Sequence, residues 1–423
     1  VNNLAITVGK ESQGCFTKAN PSYPIRFGKY CEIRTADHEF HFNPKGEIKF
    51  IRGLNPSWPH PCEWLKRSDG NDWTFYSVGS VVNGAKPIVD WLGEYYLPCL
   101  TYPSNSICTF NPYSDPAMAK ALGAWSQLYA TLFEVKRHGL APQINQFIDL
   151  VLENDETALF KGAETLHSII GGRVSVLPPD TRHVDYEVIP INIADGCLYH
   201  CDFCCVKSDQ AYQRRSRKNI RGQIQRLKAF YGDSLGGYHS LFLGNHDALG
   251  AGEELISMAA SEAFKAFGFK NCPGKRPMLF LFGSVGSLAR AENGLLDRLD
   301  NLPFHTYINL GLESVDPSTL AAIGKPLKSA EVCDAFWKMV EINRKYANIE
   351  ITANFLLGEG LSHDHHESLG ELLHSVPDHS GSKGGIYLSP LMEDSKKDPV
   401  LRSFFEIKEK SRLPAYVYLV QRL

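Results

Sequence analysis

Residues 186–208 read YEVIPINIADGCLYHCDFCCVKS, an apolar run that breaks into a loop carrying four cysteines. The run Val188–Ile193 has the β-branched, nearly unbroken apolar character of a buried strand. It gives way at Asp195 and Gly196, so Cys197, Cys201 and Cys204 fall in the loop after the strand's carboxyl end. Parallel α/β folds build their active sites there. The spacing is C-x3-C-x2-C. Thiolates this close together can hold three corners of a cuboidal iron–sulfur cluster. Three ligands rather than four leave one iron open to a small molecule, as an open position does in catalytic zinc sites. A plainer reading stands beside this one: His200 and Cys205 could complete a four-ligand zinc site, or the thiols could simply be buried.

Downstream, strand-like and helical stretches alternate. The strand-like runs are YEVIPINIA, YHSLFLG, PMLFLFG, HTYINLGLE, IEITANFLLG and GGIYLSPL. Between them lie amphipathic segments such as RKNIRGQIQRLKAFYG, with Ile220, Ile224, Leu227 and Phe230 at helical spacing. Six βα units of this kind imply a parallel sheet covered by helices. They are too few for a complete eight-fold barrel, so the expected fold is α/β, a partial (β/α)6 TIM-like barrel over residues 181–395. Upstream, residues 1–180 show short alternating runs (KYCEIRTADHEFHF, EIKFIRG) and then helical patterns in AMAKALGAWSQLYATLFEVKRHG and INQFIDLVLEN. That is a β-rich α+β domain, with Pro178 and Pro179 marking a boundary. The tail, residues 396–423, mixes a basic helix with a strand-like end and is expected to pack on the barrel.

Composition narrows the class. A chain of 423 residues with 43% hydrophobic content can bury a large core, and its formal charge of −3 lacks the basic footprint of a dedicated nucleic-acid binder. Nucleic acid is therefore not an expected partner, although a local basic patch stays open. No apolar run reaches the length of a membrane span, and the opening VNNLAITVGKESQG does not read as a secretory signal. Eleven cysteines, four of them clustered and the others scattered singly, fit a reducing cytoplasm better than a disulfide scaffold.

The cysteine loop resembles the hallmark of the radical S-adenosylmethionine (radical SAM) superfamily, C-x3-C-x-aromatic-C, with Phe203 as the aromatic. The resemblance covers about residues 185–395 and is most specific in that loop. It implies a four-iron four-sulfur cluster on Cys197, Cys201 and Cys204, with Phe203 packed beside it. It also implies S-adenosylmethionine on the open iron and reductive cleavage to a deoxyadenosyl radical. An organic substrate that yields a hydrogen atom, and an external electron donor of flavodoxin or ferredoxin type, follow from the same chemistry.

By position, the resemblance points to further cofactor-binding residues at later strand ends. Gly244, Asn245, His246 and Asp247 stand where relatives carry a Gly-Gly-Glu-like turn, without the double glycine. After the third strand, LFGSVGSLA offers glycines for close approach, with Ser284 or Ser287 as hydrogen-bond donor. Gly311–Ser314 is similar to the Gly-Leu-Glu-Ser stretch of the branch that includes methylthiotransferases, which turns Glu313 and Ser314 toward the cofactor. Asn354 and Gly358 occupy the segment that packs on the adenine. His363, Asp364, His365 and His366 could suggest a second metal but are expected at the start of a helix capped by Ser362 or Asp364. The Gly-Leu-Glu-Ser likeness also keeps modification of a tRNA base as an alternative activity, and a zinc module remains the non-enzymatic one.

The first half adds less. Trp58, Trp64, Trp73, Trp91 and Trp125 fall within its first 125 residues, a small β-rich core or else a substrate lid. Cys15, Cys31, Cys62, Cys99 and Cys108 are too irregularly spaced to read readily as a second cluster.

Overall fold

The computed structural model describes residues 4–11, 28–77, 84–86, 115–174, 176–204, 210–244, 246–271, 276–291, 293–358, 360–377, 383–391 and 397–418. Its first sheet is antiparallel: β1 (Ala5–Glu11), β2 (Lys29–Arg34), β3 (His38–Phe42), β4 (Ile48–Gly53), β5 (Glu63–Arg67) and β6 (Trp73–Ser77) pair in chain order. Helices α1 (Pro116–Lys136) and α2 (Pro142–Glu153) pack on it, and Ile33, Phe40, Phe42, Ile51 and Leu65 share a core with Met118, Leu128, Leu132 and Ile148. Asp115 caps α1 by accepting from the Ala117 N–H, and Pro116 in the first turn has no donor to lose. Trp58, Trp73 and Trp125 serve this half's own packing, whereas Trp64 joins the larger cluster that continues into the parallel-sheet core. Trp58, Trp64 and Trp125 are buried, and the rings of Trp73 and Trp125 lie 5.7 Å apart. Trp91 and the aromatic segment from Leu92 to Tyr113, read as core or else as a lid, lie outside the described residues.

A further helix, α3 (Glu156–Ile170), follows with Asp155 as its cap. Its buried Leu159, Ala163, Leu166 and Ile170 do recur at helical spacing, but Thr157, Gly162 and Thr165 are poor helix formers that blur the pattern.

The second sheet is parallel throughout: β7 (Ile189–Asn192), β8 (Ser240–Gly244), β9 (Met278–Gly283), β10 (His305–Glu313), β11 (Ile349–Leu357), β12 (Ile386–Pro390) and β13 (Ala415–Val417). All six expected strands form. The tail adds a seventh, with Ile386 opposite Ala415 and Leu388 opposite Val417. The first and last strands do not pair with each other, so the sheet is open. Helices connect the strands: α4 (Arg217–Tyr231), α5 (Glu253–Ala266), α6 (Val285–Arg290), α7 (Asn293–Asp300), α8 (Pro317–Ala322), α9 (Ser329–Lys345), α10 (His363–His374) and α11 (Lys397–Lys410). No described helix is long and apolar enough to cross a membrane. Against one face of β10–β12 lies a 3₁₀ turn, Pro179–Val184, every residue of which is buried. Its Asp180 accepts hydroxyl hydrogen bonds from Thr352 and Tyr387, and the His183 ring sits 5.2 Å from Tyr307.

Buried charge joins the two halves. Lys49 on β4 reaches Asp69 at 2.5 Å and Glu187 at 3.1 Å, while Lys66 on β5 reaches Glu187 at 2.9 Å. Tyr238 from the core donates to Asp69 at 2.7 Å. Burial opposes ionisation of Glu187, but the ammonium groups of Lys49 and Lys66 outweigh it and bring the carboxyl down to about 2. Because the folded value lies below the unfolded one, this contribution is complete above about pH 4.5 and fades as the pH falls toward 2. Glu187→Gln is expected to cost about 3 kcal/mol in urea unfolding at neutral pH, since two buried ammonium groups lose a counter-charge. The gap to wild type narrows when the same curves are run between pH 4.5 and pH 2.

Candidate active site

The cysteine loop leaves and re-enters the core through a two-stranded ribbon, Ala194–Asp195 against Gln213–Arg214. Arg215 grips Asp195 through two nitrogens, at 2.7 and 2.5 Å. Gly196 has φ +76°, and a Cβ there would lie 2.3 Å from the Ala211 carbonyl oxygen, so the loop can close only on glycine. Cys197 follows, its N–H donating to the Gln210 carbonyl at 3.4 Å. Cys197, Cys201 and Cys204 are not joined in disulfides, and Cys201 is buried while the other two are half-buried. Burial pushes the Cys201 thiol up, against the pull of the Lys325 ammonium.

The turn after α8 pins the middle of this loop. The Asp202 N–H donates to the Ile323 carbonyl at 3.1 Å. Gly324, at φ +64°, lets the backbone pass so near Asp202 that a Cβ would stand 2.2 Å from its carboxylate. Lys325 is then driven inward, donating to the Gly311 carbonyl at 2.6 Å and to Glu313 at 3.3 Å, with its nitrogen 5.7 Å from the centre of the Tyr199 ring. Tyr199 in turn accepts from the Gly286 N–H at 2.8 Å, at the start of α6. Three strand ends therefore hold the loop in place.

Above it opens a cavity of about 440 Å³ at the carboxyl ends of the strands. The three cysteines and Phe203 form one wall; His246, Asp247, Ser284, Glu313 and Asn354 contribute from successive strand ends. Asp247 and Ser284 are engaged with each other. The carboxylate accepts from the Ser284 hydroxyl at 2.7 Å and N–H at 3.1 Å, and from the Gly250 N–H at 3.2 Å. Ser284 also caps α6 in a reciprocal pair with Ser287. His246 takes a left-handed backbone, φ +47°, unusual for a residue other than glycine. Burial lowers its pKa against the opposing charge of Asp195, which favours the neutral imidazole.

Other expected residues stand elsewhere. Gly244 ends β8 against the Phe242 ring and does not line the cavity. Ser314 is fully buried, its hydroxyl 2.7 Å from His365 Nδ1. His365 Nε2 faces the Leu356 carbonyl at 3.0 Å, which can only accept, so Nε2 carries the proton and Nδ1 accepts from Ser314. Gly358 neighbours Leu391, away from the cavity wall. Asn245 and Cys205 lie outside the described residues. Ser362 caps α10, as expected for the histidine-rich stretch. Lys325, Tyr199, Asp195 and Arg173 were not foreseen, although all line the cavity. The Gly-Lys pair at 324–325, ten residues beyond the Gly-Leu-Glu-Ser stretch, was the available signal.

The donor set suits a cluster better than a single ion. Among the described residues, ligand atoms from three such side chains converge within 4.8 Å only at Glu32, Glu39 and His41 and at His363, Asp364 and Glu367. The three cysteines do not form such a set, in keeping with ligands that serve separate metals of a multinuclear cluster. At the first acidic site the carboxylates already meet Arg34, Arg52 and Lys10.

No protein of curated function matches the chain in sequence. Among solved structures it is similar to a radical SAM methyltransferase from Sphaerobacter thermophilus, at 15% identity and a TM-score of 0.35, covering 54% of this chain and 64% of that one. It is also similar to methylornithine synthase (13%, 0.34, covering 68% and 85%) and to SuiB of Streptococcus suis bound to S-adenosylmethionine (8%, 0.36, covering 85% and 72%). The chain thus spans just under two thirds of the methyltransferase's length, and scores this low say nothing of activity. The radical SAM superfamily model matches residues 191–373. That match begins on β7 and takes in the cysteine loop and each cavity-facing strand end as far as Asn354, so residues 191–373 belong to the radical SAM superfamily, enzymes that carry a four-iron four-sulfur cluster and use S-adenosylmethionine.

Proposed function

We propose that Cys197, Cys201 and Cys204 hold the cluster, and that the cavity above them binds S-adenosylmethionine together with a small organic substrate. The observation that carries this reading is the set of three cysteines, not gathered about one ion, at the wall of a strand-end cavity. When bound and reduced, the cluster would supply the one electron for cleavage of a sulfonium carbon–sulfur bond of S-adenosylmethionine to methionine and a deoxyadenosyl radical, which would take a hydrogen atom from the substrate.

The chain's own residues bind, orient and shield. Phe203 covers the cysteine loop with apolar surface. Glu313 is anchored through one carboxylate oxygen by Lys325, and its other oxygen accepts from an ammonium or hydroxyl group of the bound cofactor. The neutral imidazole of His246 holds or moves a proton beside the substrate. A volume of about 440 Å³ suits small ligands, which favours a metabolite over a macromolecule. Electrons arrive from an external carrier of flavodoxin or ferredoxin type.

The deciding experiment is anaerobic reconstitution with iron and sulfide, reduction with dithionite, and assay of 5′-deoxyadenosine after adding S-adenosylmethionine. Wild type is expected to form the product and Cys201→Ala none. A colourless preparation holding one zinc, unable to cleave the cofactor, would sink the reading. Gly196→Ala is expected to take up less iron and lose the brown absorbance, because its methyl group collides with the Ala211 carbonyl and displaces Cys197. Iron analysis of the reconstituted variant tests this without any turnover.

A further inference from the structure

The cavity wall contains an amide whose polarity is set from deep inside the core. Asn354 on β11 and Asn309 on β10 form a reciprocal pair. Asn309 Nδ2 donates to Asn354 Oδ1 at 3.0 Å, and Asn354 Nδ2 donates to Asn309 Oδ1 at 2.7 Å. Such a ring is degenerate: turning both amides over exchanges donors and acceptors and keeps both bonds. The third partner removes the degeneracy. Asn309 Nδ2 also donates to Thr352 Oγ1 at 3.0 Å, and Thr352 donates its own proton to Asp180 at 2.8 Å. Asp180, fully buried, accepts from Tyr387 as well, at 2.7 Å. A carboxylate can only accept, so the Thr352 proton is committed and its oxygen must face a donor. Asn309 therefore turns its nitrogen to Thr352, and the ring passes that choice on to Asn354.

Asn309 uses its N–H outside the ring on Thr352. Asn354 has the equivalent N–H left over, with no hydrogen-bond partner among the described residues, at a position that lines the cavity. We propose that Asp180, Thr352 and Asn309 are positioning residues that hold Asn354 with this N–H toward the cavity, where it donates to an acceptor atom of S-adenosylmethionine. The inference rests on the cavity being the cofactor site, as proposed above. Asp180 lies outside the βα units, in the turn that precedes β7, so the element before the core helps to set what the cofactor meets.

The test is the affinity of the reconstituted, unreduced protein for S-adenosylmethionine, measured by equilibrium dialysis, with cluster absorbance and thermal unfolding followed alongside. Thr352→Ser keeps the hydroxyl and is expected to bind within about a factor of two of wild type. Thr352→Val removes it. Equal occupancy of the two orientations alone would weaken binding about twofold. An orphaned N–H costs more than a free lone pair, so the flipped ring is favoured and the loss grows to about fivefold or more. Thr352→Ala removes the same hydroxyl and serves if the valine variant fails to fold. Asn354→Asp puts an acceptor where the donor stood, and about tenfold weaker binding is expected.

Wild-type affinity in the valine and alanine variants would overturn the positioning role, and wild-type affinity in Asn354→Asp would overturn the donor. Either result can occur while wild type still cleaves the cofactor and Cys201→Ala does not, which leaves the wider reading standing. A cluster-loaded wild type that binds no S-adenosylmethionine would overturn both.

Discussion

The buried ammonium of Lys325 is the contact on which the site's geometry turns. Taking such a charge out of water costs several kcal/mol unless it is fully received. Here the Gly311 carbonyl, the Glu313 carboxylate and the face of Tyr199 receive it. The first two belong to β10 and the third to the cysteine loop, so satisfying one charge brings strand end and loop into register. The turn that delivers Lys325 also presses Gly324 against Asp202, between the second and third cysteines. Loop, strand end and turn are thereby one mechanical unit, and the cavity wall inherits its rigidity.

Much of this was legible in the sequence because it is written in strong local signals. The C-x3-C-x2-C spacing and its place after an apolar strand identified the loop, and period and length identified the six strands. What stayed hidden depends on partners distant along the chain. Asp247 and Ser284 look like two polar ligands at successive strand ends, yet they bond to each other. Ser314 follows a glutamate that lines the cavity, but its hydroxyl turns to His365 of α10. Asp180 sits in a proline-rich stretch that reads as a linker, and only the folded chain shows its carboxylate beneath β11 and β12. The strand-like end of the tail was legible too, but that it joins the parallel sheet as a seventh strand depends on the unpaired edge of β12.

The first half shows the same division. Its alternating runs announced a small antiparallel sheet, and Trp58, Trp73 and Trp125 fill the interior that such a sheet needs. Periodicity does not report that Lys49 and Lys66, which a reader would place in solvent, point instead at Glu187 just before β7. Cys31 and Cys62 belong to separate apolar clusters, so they do not come together as ligands for a second metal centre.

The junction around Glu187 bears on how the protein can be handled as a piece of engineering. The parallel sheet looks like a portable module, with its own core and its own ligand loop. Cut free just before Glu187, however, it would expose the hydroxyls of Tyr231 and Tyr238, both of which donate to Asp69, and would strip Glu187 of both its cations. A transplanted or minimised catalytic unit therefore has to carry β4, β5 and the Asp69 turn with it, or have that patch redesigned to meet water.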